Sequence, residues 1–444
     1  MAILQAGVEP LVDLEKFLAP FGQLLRRSES RESLERYTTG LLSGSSRKTA
    51  SGLGRSLPKI NGQRLQEFLT RADWDPTGMD QLRVGHMRTH ACVGNGVLIL
   101  DDTGFAKKGT VSVGVARQYS GTLGRVDNCQ VLVTAHYVDR VFDWPVTARV
   151  YLPESWTHDE VRRRKAHVPK SVQFQTKGGI GLDLVNWSIE ANVPFGAVVI
   201  DAGYGDQPAL LDGLVALELP HIAGVSSSVR FRLAQSVDAD QGDPPPPPYS
   251  GRGKPKKATT LKERIPALEA QQIIEKLPPE EWRRVAWRNG IKGPLVKEFA
   301  RVEVFRSGHR GTHLPVRGWL IGERPVGKED LKYYFAWKLD AISLEELVEL
   351  AHIRWVIERF YQDAKGELGL DHYEGRLWTG FHRHVALVML AHCYLTLRQS
   401  YGADIIDQRP PGQGQNQSAG SLAPGRGFPP KGKKKYAGIT QGST

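Results

Sequence analysis

The pattern of hydrophobic and polar positions changes several times along the chain, and each change predicts a different kind of element. Between about residues 10 and 90, Leu11, Leu14, Leu18, Phe21 and Leu25 recur at spacings of three and four, and Leu65, Phe68 and Leu69 repeat the rhythm. That is the period of amphipathic helices, with Pro20 expected to kink or divide the first run. From Val97 the texture becomes β-branched and apolar: VLIL before Asp101, VSVGVA at 111–116, QVLVTAHYV at 130–138 and AVVI before Asp201. These runs predict strands of a central sheet. TKGGIGLDLVNWSIEANV, between the third and fourth runs, has helical periodicity, and DQPALLDGLVAL reads as a helix begun by an Asp cap. Strands followed by alternating helices and strands imply a mixed α/β layer.

Residues 218–340 interrupt the alternation with Pro244–Pro248, the basic stretch GRGKPKKATTLKER, and short strand-like pieces such as EFARVEVFR and VRGWLIGER. This segment reads as a β-rich insertion with a disordered Pro/Lys loop. ISLEELVELAHIRWVIERFYQDAKGEL then places Leu344, Leu347, Val348, Ala351 and Trp355 at helical spacing, with neither proline nor internal glycine before Gly366, and so predicts one long helix. HRHVALVMLAHCYLTLRQ predicts another. After Asp407 no acidic residue occurs among the Gly, Pro, Gln and Lys of the tail, which is expected to be disordered and available to phosphates. The expected divisions are an N-terminal helical DNA-binding domain at 1–90, a catalytic core split between 91–217 and 341–401, the insertion at 218–340, and a basic tail at 402–444.

A chain of 444 residues exceeds what one hydrophobic core usually serves. Fifty-nine Lys and Arg against 48 Asp and Glu leave a formal charge of +11, which favours a polyanionic partner, nucleic acid ahead of an anionic membrane surface. Apolar runs such as Val97–Leu100 and Phe195–Ile200 fall far short of the roughly 20 residues that cross a bilayer. The first ten residues lack a basic leader pattern, so a cytoplasmic chain is expected. Cys92, Cys129 and Cys393 are too scattered for a disulfide framework or a paired-cysteine zinc site. His86, His90 and Cys92 have no fourth ligand nearby and read as a polar helix face leading into a strand. Gly178, Gly179 and Gly181 do not fit a dinucleotide fingerprint, and there is no Walker sequence.

The chemistry-bearing candidates are carboxylates. Asp101 and Asp201 each close an apolar strand-like run, and a carboxylate there projects into the crevice where ligands of open α/β sheets collect. Glu358 lies far along the chain on a predicted helix. Hard oxygen ligands from separate elements suit Mg²⁺, and two such ions about 3.5–4 Å apart can stabilise both the attacking and leaving oxygens of a phosphoryl displacement. Arg354, four residues before Glu358, and Lys365, seven after, project from nearly the same helix face. Helix geometry alone also allows a salt-bridged solvent stripe here.

Arg354, Glu358 and Lys365 in HIRWVIERFYQDAK resemble the signature of insertion-sequence DDE transposases of the Tyr-Arg-Glu-Lys group, whose members typically cut DNA through hairpin intermediates. LDDTGFAKKGTVSVGVARQYSGTLGRVDNCQV, YLPESW, IDAGYGD and GLDHYEGRLWTGFHRH are similar to the insertion-sequence seven-oh-one branch, a DDE superfamily endonuclease family, over roughly residues 90 to 400. The resemblance implies an RNase H-like catalytic core with a β-rich insertion, joined here to the N-terminal helical domain. It implies cut-and-paste cleavage of transposon ends and strand transfer into target DNA, by a homodimer at the nucleoid of a bacterial-type cytoplasm. Asp101, Asp201 and Glu358 would bind two Mg²⁺ ions, with Mn²⁺ able to substitute, and Arg354 and Lys365 would contact double-stranded DNA beside the cut. The signature tyrosine is replaced by Ala351. An Asp-x-Ser/Thr pattern selects Asp101 with Thr103, whereas an Asp-Thr pattern selects Asp102.

Other features fit the same partner. Trp282 and Trp287 are interleaved with Arg283, Arg284, Arg288 and Lys292, a composition that can stack an unpaired base and hold its phosphates. Hairpin-forming relatives use an aromatic residue of the insertion in this way, which adds Trp319 and Trp337 as candidates, although all four tryptophans suit the core of a small β domain equally well. Lys107, Lys108, Arg117 and Arg125 follow Asp101 and could contact phosphate or form a solvated hairpin rim. Two rival readings are a non-catalytic transposase-derived DNA-binding protein and a general RNase H-like nuclease without transposition.

Overall fold

The computed structural model describes residues 12–90, 92, 96–122, 124–242, 261–290, 293–306, 316–328 and 330–401. The Pro/Lys loop, Lys292 and the C-terminal tail lie outside the described residues. The chain divides into two compact units, Met1–Gly196 with Arg354–Thr444, and Ala197–Ile353.

The first unit begins with five helices: α1 (Val12–Gly22), α2 (Ser28–Leu42), α3 (Ala50–Ser56), α4 (Gly62–Thr70) and α5 (Pro76–His90). Their apolar stripes, including Leu14, Phe17, Phe21, Leu65 and Phe68, are buried. Thr49 and Asn61 cap α3 and α4 by accepting from the backbone N–H of Gly52 and Arg64. Pro20 falls in the last turn of α1 and does not divide it; the helix ends two residues later and Leu25 is buried in the turn beyond.

Four antiparallel strands follow, β1 (Gly96–Ala106), β2 (Ala116–Ser120), β3 (Arg125–Val138) and β4 (Asp143–Val150). β3 is central: β1 pairs along it from Val138 to Cys129, β2 pairs with its first part and β4 with its second. Two expectations need correction. Asp101 does not end its strand, because β1 stays in register with β3 through Thr103↔Leu132 and Ala106↔Cys129. VSVGVA is not a strand: Gly114 adopts φ +72, which breaks the extended run, and β2 begins only at Ala116. Val113 and Val115 are fully buried in this irregular segment, which accounts for its strand-like apolarity. The unit continues with α6 (Glu154–Thr157), α7 (Glu160–Lys165) and α8 (Lys177–Glu190), the last capped by Thr176.

In the second unit, β5 (Phe195–Ile200) is followed by α9 (Ala202–Gly205) and α10 (Pro208–Ala216), and β6 (His221–Val225) runs parallel to β5. The expected Asp cap on α10 is absent: Gln207 occupies that position, and Asp206 instead accepts from the N–H of Ser226 at 2.8 Å. Next come β7 (Arg230–Leu233), α11 (Ala234–Asp238), α12 (Leu261–Arg264), β8 (Leu268–Glu269), α13 (Ala270–Ile274), β9 (Arg283–Gly290), β10 (Gly293–Arg306), β11 (Val316–Pro325) and β12 (Lys332–Trp337). Their order is β5-β6-β12-β11-β10-β7-β8, with β9 on β10, so a parallel pair leads into an antiparallel region and the sheet is mixed. Phe231, Ile274, Val304, Leu320 and Phe335 form its core. α14 (Leu344–His352) closes the unit, started by a capping box between Ser343 and Glu346.

α15 (Trp355–Gly366) and α16 (Trp378–Tyr401) return to the first unit. The single helix expected across residues 344–366 is therefore two. At the junction the N–H of Ile353 bonds to Leu350 O and that of Ile357 to Arg354 O, three-residue turns in place of four-residue helical bonds. α16 is buried on nearly all sides from Phe381 to Leu397 and packs on α2, α4, α5 and β4. Among the described residues, no helix is long and apolar enough to cross a membrane.

Candidate active site

Asp101 and Asp102 stand side by side in β1, opposite Thr134 and Val133 of β3. Successive strand residues face opposite sides of a sheet, and the two carboxylates meet different cations. Asp101 is buried and accepts from Arg354 Nη2 at 2.9 Å, whereas Asp102 pairs with Lys177 Nζ at 3.0 Å. Arg354 is the residue that opens α15, and Lys177 is the first residue of α8. Asp101 thus belongs to the face covered by α15.

α15 packs on β1 through one stripe of its surface. Arg354, Glu358, Tyr361 and Lys365 recur at spacings of four, three and four. Arg354 reaches the Asp101 carboxylate. Tyr361 Oη lies 2.5 Å from Thr134 Oγ1, which in turn lies 3.4 Å from the Asp101 carbonyl oxygen. Burial, followed by the Asp101 charge, pushes the Tyr361 phenol well above its usual range, so it stays neutral. Lys365 Nζ donates to Gly104 O at 3.0 Å and lies 5.2 Å from the Phe105 ring. Burial lowers the pKa of this amine, with Asp371 opposing. Glu358, in the middle of the stripe, is exposed.

In the second unit, Asp201 follows the last residue of β5, as its apolar run predicts, and caps α9 by accepting from the Tyr204 N–H at 3.1 Å. Two glycines fix this turn against β6. A Cβ on Gly205 would lie 1.9 Å from Gly224 O, and one on Gly224 would lie 2.9 Å from Ala202 N. Side chains at either position would push the turn off the strand, a packing reason for Gly205 in IDAGYGD and for Gly224 in β6. Among the described residues, no three His, Cys, Asp or Glu side chains are gathered into a metal-binding group.

The remaining candidates have varied surroundings. Lys107 is half-buried, donates to Tyr373 O at 2.7 Å, and has its pKa lowered by burial against the pull of Asp371 and Glu374. Lys108, Arg117 and Arg288 are exposed, and Arg125 pairs with Asp127 on the surface hairpin. Each insertion tryptophan has an internal partner. The Arg301 guanidinium lies 4.4 Å over Trp319 and that of Arg324 lies 3.9 Å over Trp282. Trp287 stacks on His352 at 4.1 Å, and Trp337 packs near His221. His86 is half-buried and stacks on Phe21, and burial, then His90, lowers its pKa to about 4.

Sequence reasoning missed Lys177 and Tyr361. Tyr361 could have been found, since it follows Glu358 by three residues in the same stripe. It also missed a buried group in the second unit, where Glu323 meets Lys297, Tyr334 and His352. A lone Glu inside the apolar run VRGWLIGER gave no sign of that network.

The mixed α/β architecture is consistent with a nuclease fold. The family model of the DDE superfamily endonucleases matches residues 20–294, well over half the chain, and the chain belongs to that family. Asp101 and Asp201 lie inside the matched segment and Glu358 beyond it. A protein from Microchaete diplosiphon named as a probable transposase for insertion sequence element IS701 is 29% identical over 203 residues, 45% of this chain and 50% of that protein. The chain therefore spans about half the length of this curated relative.

Proposed function

We propose that the chain is a cut-and-paste DDE transposase that cleaves the ends of its own element and transfers them to target DNA, with Asp101, Asp201 and Glu358 as its metal-binding carboxylates. The observation that carries this reading is the ion pair between Asp101 and Arg354, which sets the first carboxylate of the signature against the helix that bears the last. It also favours Asp101 over Asp102, whose cation comes from α8. The antiparallel β1–β3–β4 set, the parallel β5–β6 pair and the β-rich remainder of the second unit support an RNase H-like core with an insertion. A homodimer that pairs two ends, with the N-terminal helices reading them, completes the proposal.

The donors suit Mg²⁺ or Mn²⁺, since all three are hard carboxylates and the elements that carry two of them, β1 and α15, pack together. Asp101, Asp201 and Glu358 would hold two ions, which when bound supply charge neutralisation and activation of the attacking oxygen. The chain's own groups do the positioning. The bond between Tyr361 and Thr134 ties α15 to β3 beside Asp101, and Lys365 ties the far end of the same stripe to Gly104 of β1. Arg354 supplies a planar set of donors that matches a phosphate beside the cut. Ala351, buried in α14, offers no phenol at the first signature position, so this chain lacks that group for a hairpin step.

The test is plasmid cleavage by the full chain, with Mg²⁺ or with a chelator, on DNA that carries or lacks the element's ends. Cleavage that requires both Mg²⁺ and the ends is expected. Equal cleavage of both plasmids would instead indicate a general nuclease, and binding without cleavage a DNA-binding derivative.

A further inference from the structure

The basic run Arg162–Lys165 ends α7, and its cations are used in two ways. Arg162 Nη2 donates to Thr110 O at 2.6 Å and to Val115 O at 2.9 Å. Its guanidinium lies 4.0 Å over Trp156, whose Nε1 donates to the same Val115 oxygen at 2.8 Å. Arg163 Nη2 donates to Pro169 O at 3.1 Å and to Val172 O at 2.6 Å. These two residues hold α7 against the segment before β2 and brace the loop after the helix. Arg164 and Lys165 are exposed. Lys165 follows Val161 by one helical turn, and the two line an open cleft of about 670 Å³ together with Val111, Val115, Arg117 and Asn128. We infer that this cleft takes the sugar–phosphate backbone of duplex DNA, with Arg117 and Lys165 on the phosphates and the exposed Val111 and Val161 against deoxyribose. This rests on the reading of the chain as a DNA transposase.

The sheet puts the cleft on the face that carries Asp101. Asp101 stands opposite Thr134, and side chains two apart on a strand share a face, so Thr134, Leu132, Gln130 and Asn128 lie on that side of β3. Asn128 stands opposite Arg117 of β2. From Thr134 to Asn128 the strand covers roughly 20 Å at ~3.4 Å per residue, about six nucleotide steps of one DNA strand. The α15 stripe runs in the same direction, since Arg354 meets Asp101 and Lys365 meets Gly104. β2 ends the sheet on this side, which leaves the rim of the cleft open. Its charge is positive in surplus. Asp159 is the acidic lining residue, but it accepts from the Arg162 N–H at 2.8 Å and its charge faces the Arg162 guanidinium. Asp127, beside Asn128, pairs with Arg125. Arg117 and Lys165 face solvent, where a phosphate can reach both.

The experiment measures duplex binding by fluorescence anisotropy over a series of salt concentrations, without divalent metal. Wild type, Arg117→Gln, Lys165→Gln, the double variant and Arg164→Gln are compared as full chains, on a duplex carrying the element's end and on one of random sequence. Each phosphate contact contributes about 0.9 to the slope of log affinity against log salt, so each cleft variant should lose about 1 in slope and the double variant about 2. The loss should be equal on the two duplexes, because phosphate contacts carry no base information. Arg164→Gln removes an exposed charge of the same helix outside the cleft and should keep the wild-type slope. A double variant with the wild-type slope would overturn the proposal, as would an Arg164→Gln chain that loses as much as Lys165→Gln. Wild type that binds neither duplex at low salt would instead refute the transposase reading.

Discussion

Two buried carboxylates, Asp101 in the first unit and Glu323 in the second, are each met by a basic side chain from beside the α14–α15 junction, yet their surroundings differ. Glu323 is 1% exposed; its oxygens accept from Lys297 and from Tyr334 Oη at 2.7 Å, and lie 2.9 Å from His352 Nε2. Trp287 lies flat over His352 and seals the group. Asp101 meets Arg354, a partly exposed cation on a helix stripe that also carries the exposed Glu358. Burial of a charge therefore does not by itself mark a functional site. Glu323 is closed in by its own network and reads as structural. The Asp101 environment holds a cation and a carboxylate that an arriving ligand can reach.

The comparison predicts unequal costs of removing each charge. Glu323→Ala strands Lys297 and His352 around a cavity and should cost on the order of 3–5 kcal/mol of stability, the usual result of breaking a buried pair. Asp101→Asn keeps the shape and its cation is partly exposed, so its cost should be smaller, about 1.5–3 kcal/mol. Urea unfolding of both variants measures the difference. Equal losses would erase the distinction between the two carboxylates.

A smaller effect should appear with pH. Burial works against the charged form of Glu323, but His352, Lys297 and Tyr334 outweigh it and hold the carboxyl at about 2, below its ordinary 4.5. A carboxylate with a depressed folded pKa stabilises the fold above its unfolded pKa, and this contribution is lost as pH falls from about 4.5 toward 2. Unfolding measured across that window should show a steeper decline in wild type than in Glu323→Gln. Parallel curves would mean that the network does not act as described.

How legible this was in the sequence varied with the kind of signal. The apolar runs before Asp101 and Asp201 marked β1 and β5, because strands that bury both faces read as continuous hydrophobic stretches. Glu358 and its stripe were visible from helical spacing and motif together. The continuation of β1 past Asp101 was hidden, since its polar residues are held by pairing with distant β3 and nothing local announces that register. The junction at Ile353–Arg354 was equally hidden, because it contains neither proline nor glycine and the hydrophobic rhythm runs through it unbroken. VSVGVA misled because buried valines look alike in a strand and in an irregular segment, and only the conformation of Gly114 separates the two. The partner of Arg354 lies 253 residues away in sequence, and no spacing rule reaches that far.

The most direct test of the central assignment compares Asp101→Asn, Asp201→Asn and Glu358→Gln with wild type in Mg²⁺-dependent cleavage of the element's ends, alongside DNA binding without magnesium. Each substitution removes one negative charge with little change in volume. Cleavage should fall by orders of magnitude in all three, because metal-assisted positioning and charge neutralisation supply most of phosphoryl-transfer catalysis. DNA affinity should stay the same or rise, since a carboxylate has left the path of a polyanion. A folded Glu358→Gln protein that cuts at the wild-type rate would contradict the account and leave α15 a structural helix.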